Sequence, residues 1–291
     1  MTNSDPQEIA QTKQWFAKLF DRVAPTYDQV GPKFFDYFGH RLVELAQIPK
    51  GASVLDVATG RGAILFPAAE AVGPHGQVIG IDLSEAMVKE TSVEIKQRGL
   101  KNAEVRYMDA EYLQFPDTSL DYVLCGLSIF FFPQHKRALA EMRRVLKSGG
   151  VIGITTFWHD DESWNWLGEL FKKYLPQAPE EESTSEEEEP PEPDFRSHEG
   201  MEAVMNSAGF TNIQIVGEEP DFVYGNEDEW WSTVWSHGMR ARLERIESTA
   251  GSDALQQFKA DAFKKLQTNK QSDGFHHMWS VLFTLAKKLK D

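Results

Sequence analysis

The 291-residue chain holds one cysteine, Cys125. That excludes an internal disulfide and a zinc cage built on thiolates. Cys125 falls in an apolar run that reads as a strand, where a small buried hydrophobe is the ordinary reading. Nowhere do apolar residues approach the roughly 20 in succession that a membrane helix needs. The opening MTNSDPQEIAQTKQWF is polar, with neither a basic start nor an apolar signal core, so a cytoplasmic protein is expected. Positive charge is scarce: 30 Lys and Arg face 45 Asp and Glu, a formal net charge of −15. An acidic surface repels nucleic acid and anionic lipid unless a basic patch intervenes. The longest basic grouping, AKKLKD at the C-terminus, is too short to be one. No metal site, nucleic acid or membrane partner is expected.

Much of the acidity is local. PEEESTSEEEEPPEP (179–193) has eight glutamates, four prolines and no apolar residue. It buries too little surface to offset the entropy of ordering and reads as a mobile loop, or else as a docking tail for a basic partner. Around it, 41% of the chain is apolar, enough for a sizeable core. DPQEIAQTKQWFAKLFDRV and PKFFDYFGHRLVELAQI have helical spacing. Strands and helices then alternate. SVLDVAT, QVIGIDL, AEVRYMDA, LDYVLCGLS and VIGITTF read as strands. Between the second and third lies a helix opening on Ser84 as N-cap and closing on Gly99. PQHKRALAEMRRVLKSGG reads as a helix ending on its glycine pair. Short apolar strands separated by helices imply a parallel sheet covered on both faces. With TNIQIVGEE and a closing strand in FHHMWSVLFTLAKK, the expected fold class is α/β: a doubly wound, mostly parallel seven-stranded sheet with a helical cap. The expected divisions are an N-terminal helical cap segment (1–50), a core with the glycine loop (51–157), a cap insert holding the acidic loop (158–200), and the rest of the sheet with a helical insert at 226–269 (201–291).

The loop in VLDVATGRGAIL (54–65) bears on function. A dinucleotide fold wants G-x-G-x-x-G, and here Leu65 takes the third glycine's place. A phosphate loop wants lysine followed by serine or threonine, both absent. Asp56, four residues before Gly60, would repel a pyrophosphate. It suits a ligand carrying an ammonium and a sulfonium and no phosphate. Asp82 closes the second strand, where a carboxylate accepts ribose hydroxyls, a feature that NAD shares. Asp109 closes the third, within reach of an adenine amino group. Alternatively, Asp56 and Asp82 merely cap helices, but three acidic residues closing three successive strands favour a ligand site.

VLDVATGRG, IGIDLSEAM, MDAEYLQFPDTSLDYVLC and RALAEMRRVLKSGGVIGI resemble the successive motifs of class I S-adenosylmethionine-dependent methyltransferases. The resemblance spans about residues 20–157. Within that class, FDRVAPTYD is similar to the front of the ubiquinone/menaquinone C-methyltransferases. The resemblance implies S-adenosyl-L-methionine as cofactor and Tyr27 lying over it. It implies Asp56, Ala58, Gly60 and Gly62 around the methionine portion, Asp82 and Leu83 at the ribose, and Met87, Asp109 and Ala110 at the adenine. Leu127 and Ser128 fall beside the sulfonium. Arg61 stands where the quinone enzymes often carry threonine, and those chains are shorter, without the acidic loop and the tryptophan-rich C-terminal region.

The acceptor is less defined. After the fourth strand the chain reads GLSIFFFP, without the Asn/Asp-Pro-Pro-Tyr/Phe motif of nucleic-acid amino methylation. Phe130, Phe131 and Phe132 either line an apolar acceptor pocket or pack the next helix. Seven of eight tryptophans follow residue 157. Trp231 and Trp235 share a helical face; with Trp158 they either wall an acceptor cavity or join cap to sheet. His159 and His237 are the candidate bases by position, each with a structural alternative; His276 and His277 rank below them. The expected function is methyl transfer from S-adenosylmethionine to nitrogen or oxygen of a small, largely apolar metabolite, with secondary metabolism the expected setting. The alternatives are quinone C-methylation, a non-catalytic scaffold, and an NAD-linked oxidoreductase.

Overall fold

The computed structural model describes residues 5–176 and 193–289. The acidic run at 179–192 lies outside the described residues. Seven strands form one sheet: β1 (Ser53–Val57), β2 (Gln77–Asp82), β3 (Ala103–Tyr107), β4 (Leu120–Gly126), β5 (Leu146–Phe157), β6 (Phe210–Glu218) and β9 (Val281–Lys288), in the spatial order β3-β2-β1-β4-β5-β9-β6. The first five run parallel, and β9 pairs antiparallel with both β5 and β6. This is the expected seven-stranded architecture. Strand order reverses about β1, which has β2 on one side and β4 on the other, and open α/β sheets bind ligands beyond the carboxyl ends of strands at such a point.

Alternation along the strands feeds two cores. Leu55, Val57, Ile79 and Ile81 face the side covered by α5 (His135–Val145) and α7 (His198–Ser207), which contribute Leu139, Met142, Met201 and Met205. Val54 and Val78 face α2 (Phe34–Ala46) and α3 (Leu65–Val72). Phe34, Phe38 and Leu42 of α2 are fully buried there, each contributing about 1.5–3 kcal/mol of burial. Asp56 shares the strand face of Val54, so its carboxylate points to this second side. α4 (Glu85–Gln97) begins as expected, with Ser84 Oγ accepting from the Met87 amide, and Gly99 follows it at φ +66°.

The cap is a third core. α6 (Asn165–Tyr174), α8 (Glu227–Trp235), α9 (Arg240–Ala250) and α10 (Ser252–Leu266) pack around Trp164, Trp230, Leu243 and Phe258. A separate two-stranded sheet, β7 (Asp221–Tyr224) with β8 (Phe275–Met278), borders it. α1 (Pro6–Val23) lies against α4 and α9. Among the described residues, no helix is long and apolar enough to cross a membrane.

Three local expectations are corrected. The helix before β5 ends at Val145, not at the glycine pair; Gly149 and Gly150 fall inside β5. There the pairing with β4 shifts register between Leu120 and Tyr122, and Gly149 supplies the φ of +77° that this irregularity requires. The closing run divides at Trp279 and Ser280, whose backbones bond to Pro220 and Trp158 and send β8 and β9 into different sheets. The helical insert expected at 226–269 is not continuous: NEDEWWSTVWSHGMRARLERI, whose pattern reads as one helix, breaks at Ser236–Met239 into α8 and α9.

Candidate active site

The crevice opens at the carboxyl ends of β1, β2, β3 and β4. Its floor is the loop after β1, where Ala58, Gly60 and Gly62 all have positive φ (+54°, +50° and +85°). A Cβ at Gly62 would lie 2.6 Å from the Phe66 ring, so that glycine permits close packing beneath the loop, and it does not line the crevice. Asp82 ties the loop down: Oδ2 accepts from the Gly60 amide at 2.9 Å, and Oδ1 from the Ser84 amide at 2.9 Å. Burial is the chief reason its carboxyl is pushed up to about 6. Asp56 is 1% exposed and accepts from the Thr59 hydroxyl at 2.5 Å. Burial and then the neighbouring Asp82 push it up to about 7.

Asp109 lies two residues beyond β3 and completes the set. Its Oδ2 accepts from Lys13 Nζ at 2.7 Å and its Oδ1 from the Glu111 amide at 2.9 Å. Lys13 also pairs with Glu111, which is 1% exposed and accepts from the Gln134 amide. Lys13 belongs to α1, whose Phe16, Ala17 and Phe20 roof the crevice. Leu83, Met87, Ala110, Leu127 and Ser128 line it as well. Leu127 sits at φ +47°, its amide donating to Thr155 Oγ1 at 2.9 Å. Tyr27 stacks on Phe35 with centroids 4.7 Å apart and closes one side; burial raises its phenol well above the usual range.

A second, more polar cavity adjoins this crevice at Tyr27, Ala58, Gly60, Gly126 and Leu127 and reaches Asp56. Of the twelve residues that the sequence resemblance assigns to a cofactor, ten line the crevice, Asp56 lines the adjoining cavity and Gly62 packs below the loop. Lys13, Phe16, Phe20, Thr59, Glu111 and Thr155 were not read from the sequence. An Asp-x-x-Thr spacing was the one local signal available, for Thr59; the rest arrive through distant contacts.

The acceptor and base candidates scatter. Phe131 lines the crevice, in contact with Phe16 and Phe20 at 5.0 and 5.4 Å between centroids, and Phe132 joins it. Phe130 does not line it; it packs against Phe157. Trp158 lies over Gly217, beside His159 and His198, outside the crevice. Trp231 and Trp235 do share a helical face, 6.2 Å apart, but that face joins the cap core against α10. His159 is half exposed, pairing through Nε2 with Glu219 at 2.9 Å and bonding Ser280 through Nδ1 at 3.1 Å. His237 is buried 5.9 Å from Phe34, where desolvation lowers it to about 4. No histidine lines either cavity, so the structure does not bring His159 or His237 to the crevice.

The sequence model of a family described as "Methyltransferase domain" matches residues 48–202. The nocamycin O-methyltransferase of Saccharothrix syringae is 32% identical over 79% of this chain and 84% of its own length. The aklanonic acid methyltransferase DauC of Streptomyces sp. (strain C5) is 40% identical over 57% of this chain and 76% of its own. A demethylmenaquinone methyltransferase of Listeria welshimeri is 33% identical over 54% and 69%. Among solved structures, the [4+2]-cyclase SpnF superimposes with a TM-score of 0.58 over 96% of this chain and 97% of its own, at 18% identity, which shows a shared fold. With an expected sheet order, a phosphate-excluding loop and these relatives in agreement, the chain belongs to the class I S-adenosylmethionine-dependent methyltransferases.

Proposed function

We propose that the protein methylates a small, largely apolar metabolite, on oxygen in preference to nitrogen, in the crevice between β1, β4 and α1. Family membership makes it a methyltransferase and replaces the scaffold and oxidoreductase alternatives. The observation that carries the reading is the trio of carboxylates, Asp82 and Asp109 lining the crevice and Asp56 lining the cavity that adjoins it. Two buried carboxyls held near neutrality suit a ligand that brings positive charge.

S-adenosylmethionine, when bound, supplies a methyl group made electrophilic by its sulfonium. The chain's own residues bind, orient and exclude water. Asp82 would accept ribose hydroxyls while holding the Gly60 loop, and Asp109 would accept from the adenine amino group. Leu83 and Met87 supply apolar surface for the base. Phe16, Phe20 and Phe131 wall off solvent, which strengthens every electrostatic contact inside. Acceleration of an in-line displacement rests mainly on such positioning, with reacting atoms about 3–3.5 Å apart. No histidine lines the crevice, which favours an acceptor that attacks without a protein imidazole as base.

Oxygen is favoured because the relative spanning most of the chain is named an O-methyltransferase. A second reading, C-methylation of a quinone, is supported by the demethylmenaquinone relative and the FDRVAPTYD front. Calorimetry with S-adenosylmethionine, followed by mass spectrometry of products from hydroxylated, carboxylated and demethylated-quinone compounds, tests both. Wild type is expected to bind and Asp82→Ala to lose at least about tenfold in affinity, as for a charged hydrogen bond. Equal affinities would remove Asp82's role, and a methylated quinone as sole product would replace the first reading.

A further inference from the structure

Three residues that line the polar cavity beside the crevice each carry a buried polar atom without a hydrogen-bond partner: Asp28 Oδ1, Asp56 Oδ1 and Arg61 Nε. Such atoms are rare in folded proteins, and each calls for an explanation. Asp28 lies on the turn between α1 and α2 at φ +54°, a conformation that costs a non-glycine residue strain. Its Oδ2 accepts from the Asp36 amide at 3.0 Å, which pins the carboxylate to the first turn of α2 and leaves Oδ1 free. Arg61 uses its two terminal nitrogens elsewhere: Nη1 donates to the Ala24 carbonyl at 2.7 Å and Nη2 to Glu94 at 3.4 Å. One N–H remains.

Two unsatisfied acceptors and one unsatisfied cationic donor in one cavity are the complement of an ammonium and a carboxylate carried on the same molecule. The cavity shares Gly60 and Leu127 with the crevice, so a ligand reaching across them has its adenosine end in one and its amino-acid end in the other. We propose that Asp28 and Arg61 position the methionine end of the cofactor, Asp28 Oδ1 accepting from the α-ammonium and Arg61 Nε donating to the α-carboxylate. Asp56 adds negative charge beside the ammonium, and exposed Lys33, at the start of α2, adds positive charge at the rim. The assignment rests on the methyltransferase reading of the same crevice.

Calorimetric titration of wild type, Asp28→Asn and Arg61→Met with four compounds tests it: S-adenosylmethionine, its decarboxylated form, S-adenosylhomocysteine, and 5′-methylthioadenosine, which lacks the amino-acid end. Asp28→Asn is expected to weaken S-adenosylhomocysteine roughly 10- to 100-fold while methylthioadenosine stays within about twofold. Wild type should prefer S-adenosylmethionine to the decarboxylated form by at least about tenfold, and Arg61→Met should erase that preference. Retained methylthioadenosine affinity certifies that a variant is folded. Where Arg61→Met loses it, Arg61→Lys, which keeps the charge and removes the Nε–H, is titrated instead with the same expectation. Unchanged ratios in the folded variants overturn the assignment alone. A wild type that binds none of the four overturns the reading of the crevice and the assignment with it.

Discussion

Asp56 and Asp82 are held out of water, and the consequence reaches the cofactor. Their carboxyls lie at about 7 and 6, raised chiefly by burial. In the free protein each therefore takes up a proton as pH falls below those values. A ligand bearing a sulfonium and an ammonium favours the ionised forms, so binding expels protons in that range. Affinity for S-adenosylmethionine should be full above pH 7.5 and fall as pH drops through 7 and 6, by up to about tenfold per unit for each proton expelled. Calorimetry at pH 6.5 in buffers of different ionisation enthalpy reads the released protons directly; an affinity flat from pH 8 to 5.5 would refute the coupling. At this scale the sequence was informative where the signal was local. Asp56, Gly60 and Asp82 follow from strand ends and turn spacing. Lys13 was invisible, because its partner Asp109 lies 96 residues away. The orphan atoms of Asp28 and Arg61 depend likewise on how α2 and α4 meet the loop.

α1 is the element whose behaviour differs most from that of its neighbours. Of its 18 residues only Leu19 and Val23 are buried, so little hydrophobic burial holds it. Polar ties do the rest: Lys13 to Asp109 and Glu111, Asp21 to the Ser84 hydroxyl and Ala86 amide, and Arg22 to Glu244. Partly exposed ion pairs such as Arg22–Glu244 contribute only about 0–1 kcal/mol. Local opening of α1 should thus cost far less than opening β1 or β4, whose residues lie at the sheet's centre. On the proposed reading, a cofactor bound in the crevice would touch Phe16, Ala17 and Phe20, which line it. Hydrogen exchange is expected to show α1 amides exchanging faster than those of β4 in the free protein and slowing at least about tenfold with saturating S-adenosylhomocysteine, by linkage. Exchange in α1 as slow as in β4, and indifferent to ligand, would sink this. Elements were legible wherever pattern and length agreed, as in the five parallel strands. The errors at Gly149–Gly150 and Trp279–Ser280 share a cause: a glycine pair and an aromatic–serine step look alike whether they end an element or bend it. Which of the two occurs is set by pairing across β4, β5 and β9. The tryptophan pair of α8 failed differently. Its spacing gave the shared face correctly, and only tertiary packing could say that α10 covers it.

Across the whole molecule, cap meets sheet at a seam that contains two neutral histidines. His237 packs near Phe34, and His277 stacks on Trp164 with centroids 4.2 Å apart. Desolvation lowers both to about 4; His277 adds to the shift at His237, while Asp161, Asp160 and Asp221 oppose the shift at His277. The unfolded chain protonates near 6.5, so the unfolded state binds more protons between 6.5 and 4. Their contribution to stability is complete above about pH 6.5 and is lost as pH falls towards 4. The raised carboxyls of Asp28, Asp56 and Asp82 act oppositely: in the free protein they favour folding as pH falls through 7 and 6. The free protein's acid tolerance is therefore a balance between the cofactor crevice and the cap seam. Replacing His277 by phenylalanine keeps an aromatic ring against Trp164 and removes one side of that balance. Between pH 7.5 and 5.0, wild type should lose about 2 kcal/mol of unfolding free energy relative to His277→Phe, the linkage expected for one histidine shifted from 6.5 to 4. Urea unfolding of the two proteins at both pH values measures it. Parallel pH dependences would mean that His277 charges without cost in the folded state, and would refute the balance.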